Sequence, residues 1–261
     1  MADVQTQPVG NLLRKWRERR RLSQLDLASD AEISTRHLSF LETGRSQPSR
    51  DMVLRLAERL EVPLRERNAL LIAAGYAPAY PERPLDDPAL QSARKAVDLV
   101  LAGHEPYPAL AIDRHWTLIA SNNAVAAVMA GADPSLLRPP VNALRLSLHP
   151  KGLAPRIANL AEWRSHLLAR LRRQIEITAD PVLEELLNEL SGYPAPGADA
   201  GDIVEDAGVV VPFQLITERG LLSFISATTI FGTPVDITLS ELAVESFFPA
   251  DAATAKALRE L

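Results

Sequence analysis

The chain has 261 residues, 47% hydrophobic and only 5% aromatic, enough apolar material to fill two cores. Its formal net charge of −5 excludes a uniformly basic coat, but the charge is divided: residues 1–80 hold 13 Lys/Arg against 10 Asp/Glu, and the remainder hold 15 against 23, so only the first part is suited to approach phosphate. The absence of cysteine excludes disulfides, thiolate metal sites and a Cys nucleophile; with no signal-like N-terminus and no apolar run longer than 124–132, a soluble cytoplasmic protein without membrane insertion is expected.

Val9 to Arg20 reads as a first helix, with Leu12, Leu13 and Trp16 on one side and Arg14, Lys15, Arg17, Arg19, Arg20 and Arg21 on the other. Such a basic run serves equally as a solvated face or, placed just before a DNA-reading motif, as phosphate contacts through Arg14 or Arg17.

That motif is SQLDLASDAEISTRHLSFLETGR, Ser23 to Arg45. Ser23 with Asp26 three residues on has the form of a capping box, and Leu25, Leu27 and Ala28 supply the buried side of a short helix. Ala28 is small enough to let a second helix cross closely. The chain restarts at Ile33, with Ser34 as a second N-cap, Leu38 and Leu41 at helical spacing, and Gly44 as the stop. This second helix leaves Thr35, Arg36, His37, Ser39, Phe40 and Glu42 on or near its free face.

Two helices joined by a short turn, the second with polar tips at its start, is the geometry that lays a helix in the major groove of double-stranded DNA. The DNA-facing candidates are Gln24, Ser34, Thr35, Arg36 and Ser39, with Arg36 suited to read guanine bidentately and Arg45, Arg14 and Ser34 placed for phosphate. One short helix reads few bases, so a homodimer with its two copies about 34 Å apart is expected.

Ser49 caps a fourth helix (Met52, Val53, Leu56, Ala57 and Leu60 apolar), and Pro63 opens a fifth through Leu70, Leu71 and Ala74 to Gly75, completing a five-helix domain over residues 1–75. In one register, Leu22-Ser23-Gln24, Leu27-Ala28, Ile33-Ser34, Leu38, Leu41-Glu42, Gly44-Arg45, Pro48-Ser49 and Leu56-Ala57 through Leu60 resemble the XRE, or Cro/lambda-repressor-like, helix-turn-helix regulators. Where that family usually has Gly in the turn, this chain has Glu32; a side chain at φ > 0 there costs roughly 1 kcal/mol.

Residues 76–88, YAPAYPERPLDDP, lack periodicity and should form an extended, stiff connector. A second domain over 89–261 follows. Pro88 to Gly103 is helical, with Leu90, Ala93, Val97 and Val100-Leu101 apolar. Tyr107–Ile112 and His115–Ala120 form a hairpin around Asp113-Arg114, and Asn122-Asn123 cap a helix through Val128 and Met129, the opening of a PAS-like sensor fold. Ala154 to Ile175 reads as one helix, with Ile157, Leu160, Leu167, Leu168, Leu171 and Ile175 as its stripe. Another runs from Pro181 to Gly192, and Gly197 to Gly208 reads as a mobile loop. Val209–Thr217 and Leu221–Phe231 read as strands turning at Glu218-Arg219-Gly220, and Leu239 to Phe248 returns to helical spacing.

The segments AGYAP, HPKGLAPRIANLAEWRSHLLARLRRQ and FISATTIFGTPVDITLSELAVESFFPAD resemble the C-terminal ligand-binding domain of MmyB-type regulators. The resemblance implies a mixed fold, an N-terminal five-helix Cro-like domain and a C-terminal PAS-like α+β domain of antiparallel sheet flanked by helices. It also implies an apolar pocket able to take a small fatty-acid-like molecule. Pocket candidates are Tyr107, Trp116, Trp163, Leu167, Phe213, Phe224 and Phe231, residues that plain core packing would also explain.

No catalytic constellation is legible. His37, His104, His115, His149 and His166 never share metal-ligand spacing, so no metal site is expected; Ser92 to Lys95 matches S-x-x-K without companion motifs; no P-loop, G-x-G-x-x-G or G-x-S-x-G is present. The sequence therefore points to a ligand-modulated, sequence-specific transcriptional regulator without catalysis or cofactor, beyond a bound apolar molecule. An enzyme acting in the C-terminal pocket and a protein-interaction scaffold remain as alternatives.

Overall fold

The computed structural model describes residues 7–194, 210–232 and 235–260; the stretch 197–208 lies outside them. The backbone divides into two compact units, the first made mainly of the residues up to Glu82 and the second mainly of those from Arg83 on.

The first unit holds α1 (Val9–Arg19), α2 (Gln24–Asp30), α3 (Thr35–Glu42), α4 (Arg50–Arg59) and α5 (Leu64–Ala73). Three helices start the same way: Ser23, Ser34 and Ser49 each accept, through Oγ, the backbone N–H three residues on, and Asp26 returns the bond to Ser23 N. Three also stop the same way. Arg21, Glu32 and Glu61 sit at φ of 56°, 56° and 49°, and the next residue's N–H reaches back to Arg17 O, Ala28 O and Ala57 O respectively. This is a Schellman ending made without glycine, followed by an apolar residue that is buried at Val62 and half-buried at Leu22 and Ile33. Glu32 thus occupies the left-handed position expected of it. At Gly10 a Cβ would collide with the carbonyl oxygens of Leu41 and Glu42, so only glycine lets α1 lie this close to α3.

Leu13, Leu27, Leu38, Leu41, Leu56, Leu60, Leu70 and Leu71 form the core. Leu25 does not join them: it is 66% exposed, because it lies about 200° around α2 from Leu27 on a helix whose buried flank is confined to Leu27 and Ala28. Beyond α5 the chain is extended but fastened down. Asn68 Oδ1 accepts from Ala79 N and Tyr80 N, Asn68 Nδ2 donates to Tyr80 O, and Tyr76 Oη donates to Pro48 O.

The second unit comprises a 3-10 turn (Pro88–Leu90), α6 (Gln91–Gly103), β1 (Ala109–Ile112), β2 (Leu118–Ser121), α7 (Ala124–Met129), α8 (Ala143–Leu148), α9 (Leu160–Thr178), α10 (Pro181–Ser191), β3 (Phe213–Thr217), β4 (Gly220–Ile230), α11 (Ile237–Ser240), β5 (Ala243–Pro249) and α12 (Ala252–Arg259). The strands form one antiparallel sheet ordered β2-β1-β5-β4-β3. The expected α+β class is the one adopted. One sheet face carries Val97 and Leu101 of α6 against Ala109, Ala111, Leu242 and Val244; the other faces the main core with α8, α9 and α10.

Four expectations need correction here. Residues 239–248 are not one helix: after the single turn of α11 the chain becomes β5, the central strand. Val244 packs on one face while Glu245 and Phe247 serve the other, so burial on both sides erases the alternation that marks a strand. Residues 154–175 do not form one helix either. Ala154–Arg156 is a 3-10 turn and Ile157 bridges Leu215 beside β3 before α9 starts at Leu160. Asn122 and Asn123 do not cap α7 with their side chains. Asn122 is buried, its Oδ1 accepting Ala109 N and its Nδ2 donating to Leu101 O and Tyr107 O, which ties α6 to the start of β1. Val100 on α6 is 44% exposed, and Leu101 beside it takes the buried position. No helix among the described residues is long and apolar enough to cross a membrane.

Candidate functional site

α3 is anchored from below. Leu38 and Leu41 are fully buried, and Glu42, which the helical spacing places on the free side, is instead buried at 4% exposure. Its carboxylate takes Arg17 Nε at 2.6 Å, Arg17 Nη2 at 3.0 Å and Gln24 Nε2 at 2.8 Å, while Arg17 Nη1 donates to Leu22 O. The bond to Glu42 raises the Arg17 pKa against the opposing effect of burial. Arg17 is therefore committed to the interior and unavailable for the phosphate contact its place in the basic run suggests. The carboxylate joins α1, α2 and α3 at one point, and the Gln24 amide group is engaged in that joint.

The upper side of α3 is open. Arg36 and Ser34 are exposed, Thr35 and Ser39 half-buried, and Arg45 just past the helix is exposed. Arg36 and Arg45 both lean on the Phe40 ring, their guanidinium carbons 5.3 and 5.8 Å from its centroid. Phe40 thus gathers two candidate DNA contacts; the i, i+4 spacing of Arg36 and Phe40 is the signal for it. Arg14 is exposed and paired with Glu18 at 2.7 Å.

In the second unit a cavity of about 90 Å³ lies between the inner sheet face, α7, α8 and α9. Of the seven pocket candidates, Trp116, Trp163, Leu167, Phe213 and Phe224 line it; Tyr107 and Phe231 do not. Phe231 has the wrong parity. Phe224, Ser226 and Thr228 of β4 point inward, so the odd-numbered side belongs to the other face, and Phe231 packs there with the α6 cluster. Tyr107 packs at the margin of the core, edge-on to His104 at 5.9 Å, its hydroxyl accepting from Arg259.

The cavity wall is aromatic and fixed. Phe213 lies 5.1 Å from Trp163 and 6.0 Å from Phe224. Trp163 Nε1 donates to Ser147 Oγ at 3.0 Å and Trp116 Nε1 to Gln174 Oε1 at 2.8 Å. Trp116 also holds a φ of 65°, left-handed for a bulky residue, in a turn where Asp113 Oδ1 accepts from His115 N and Thr117 N.

The wall has one charged pole, missed in the sequence because its two members lie 75 residues apart. Arg170 of α9 bonds Glu245 of β5, Nη2 to Oε1 at 2.6 Å and Nη1 to Oε2 at 3.3 Å, and its guanidinium sits 4.9 Å over the Trp116 ring. Thr228 Oγ1 donates to Glu245 Oε1 and accepts from Arg170 Nη2. One turn earlier on α9, His166 stacks on Trp163 at 5.5 Å; burial, then the Arg170 charge, push its pKa below the ordinary histidine value, against a smaller raising effect of Glu245.

Comparison with known proteins places each half. Residues 8–70 match the helix-turn-helix domain family and residues 93–261 the MmyB-like transcription regulator ligand binding domain. A protein of Methanoculleus marisnigri described as an HTH-type transcriptional regulatory protein is 36% identical over 116 residues, 42% of this chain and 37% of that one, so the chain spans little more than a third of that relative's length. Among solved structures, the clp gene regulator ClgR of Corynebacterium glutamicum is 25% identical over 39% of this chain and 94% of its own, with a TM-score of 0.24. An RNA-binding light-oxygen-voltage receptor is 11% identical over 97% of this chain and 61% of its own, with a TM-score of 0.26. The family match over residues 93–261, carrying the aromatic cavity behind a helix-turn-helix domain, means that the chain belongs to the MmyB-like transcription regulators.

Proposed function

We propose that the protein is a sequence-specific DNA-binding regulator whose C-terminal domain takes a small ligand with an apolar, fatty-acid-like body, and that this ligand alters DNA affinity. The observation that carries the first half is the two-sidedness of α3: Leu38, Leu41 and Glu42 are locked inward while Arg36 stands exposed beside half-buried Thr35 and Ser39. In the major groove, Arg36 reads a base edge, Thr35 and Ser39 follow the groove, and Ser34, Arg45 and Arg14 meet phosphate. Gln24 serves mainly to orient Glu42. Two copies act together, their α3 helices one DNA turn, about 34 Å, apart.

Control by ligand requires only differential affinity: a molecule that binds one arrangement of the protein better shifts the population toward it and changes DNA binding by at most that difference in free energy. The action is binding, without turnover. Fluorescence anisotropy on duplex DNA from upstream of the gene, with as-purified and solvent-extracted protein, tests both halves. Affinity should fall steeply, by orders of magnitude, between about 50 and 200 mM salt, and should differ between the two preparations. Salt-insensitive binding would refute the groove assignment, and identical affinities would refute ligand control.

A further inference from the structure

We infer that the ligand of the C-terminal cavity presents an uncharged hydrogen-bonding head to Arg170, and that Glu245 is the residue that selects against acids. This rests on the reading of the cavity as a ligand site and adds the chemical class of what it accepts. Among the described residues the only charges on the cavity wall are Arg170 and Glu245, and they already neutralise one another through two bonds. Glu245 is held from a second direction by Thr228, and its side chain is only 5% exposed. A ligand carboxylate at Arg170 would place a second anion beside Glu245 on a wall with no further cation among the described residues to balance it. An ammonium head would be the second cation beside Arg170, with Glu245 already paired.

A neutral oxygen meets no such obstacle. Three of the five guanidinium N–H groups of Arg170 are engaged by Glu245 and Thr228, which leaves two without a partner among the described residues. Elsewhere on the same wall Ser147 Oγ accepts from Trp163, leaving its own proton to donate. An alcohol, amide or ester oxygen can take these donors while Arg170 keeps both Glu245 and its place over Trp116. The size of the site sets the rest. At about 90 Å³ it is smaller than an apolar cavity of about 150 Å³ that accepts benzene, so the enclosed body is short.

Three probes that share a three-carbon chain and differ only in the head separate the possibilities: 1-propanol, propanoate and propylammonium. They are titrated into the full chain after extraction of small molecules, with tryptophan emission as the signal, because Trp116 and Trp163 line the cavity. The inference predicts that 1-propanol binds about tenfold or more tighter than either ion at neutral pH, and that Glu245→Gln raises propanoate affinity about tenfold by leaving Arg170 uncompensated. If propanoate or propylammonium binds wild-type protein as tightly as the alcohol, the neutral-head inference is wrong while the ligand-site reading stands. If none of the three binds, both fall. Should Glu245→Gln fail to fold, the order of the three affinities for wild-type protein is sufficient to uphold or overturn the inference.

Discussion

Glu42 shows how far one side chain can depart from what its spacing suggests. On a helical wheel it lies beside the free residues of α3, yet it ends at the junction of three helices with Arg17 and Gln24 closed around it. The reason is charge pairing across 25 residues, which no periodicity reports. Removing one partner strands the other in the interior, so Glu42→Ala should destabilise the N-terminal unit by about 3–5 kcal/mol; chemical denaturation followed through Trp16 would measure it. A loss within experimental error would mean that the pair is dispensable. At the cavity, His166 makes a pH-dependent contribution of definite sign. Its pKa is lowered in the folded state, so the unfolded chain binds more protons near and below the ordinary value of about 6.5, and stability is lost as pH falls through that window. Asp180 and Glu189 are also lowered. Burial pulls Asp180 upward but the bonds from His115 and Val182 outweigh it, and for Glu189 the bond from Arg145 dominates; both act in the carboxylate range, below the histidine window. His166→Gln should therefore flatten the thermal stability of the C-terminal unit between about pH 7 and 5 without altering the acid limb. An unchanged slope would assign it to other groups.

Among the elements, the helix-turn-helix was the most legible, because its signals are local. The serine caps lie three residues from the amides they satisfy, and each helix end is set by the next few residues. The left-handed position of Glu32 follows from the same local logic, and its cost is open to measurement: Glu32→Gly should stabilise the domain by up to about 1 kcal/mol, less the added entropy of the unfolded chain. Clear destabilisation would show that the Glu32 side chain contributes a contact worth more than the strain. In the second unit the hairpin of β3 and β4 was legible for a similar reason, since Thr217 pairs directly with Gly220 across the Glu218-Arg219 turn. β5 and the start of α9 were not. β5 lies between β1 and β4 and is buried on both faces, so its apolar pattern fits either period; Ile157 is buried by a bridge to Leu215, a partner 58 residues away. The cavity was half legible. Aromatic residues on strands and a helix marked part of its wall, but Arg170 and Glu245 come from distant segments and meet only in the folded structure.

For the whole molecule, the division of charge and the division of fold coincide in sense: a mildly basic helical unit with an open reading helix precedes an acidic unit built around an aromatic cavity. That pairing suits a regulator in which one half meets DNA and the other meets a small molecule, each half keeping its own core, with the proposed coupling carried by a shift in population. The measurement that tests this account most directly is selection of bound duplexes from a randomised pool, carried out in parallel with wild-type protein and Arg36→Ala. The account predicts that wild type enriches two related half-sites with centres about 10 base pairs apart, and that Arg36→Ala loses preference at one base pair in each half-site, worth roughly 1–3 kcal/mol, while keeping the rest. Failure of wild type to enrich any sequence, or an Arg36→Ala pool with the same base preferences as wild type, would contradict the placement of α3 in the groove.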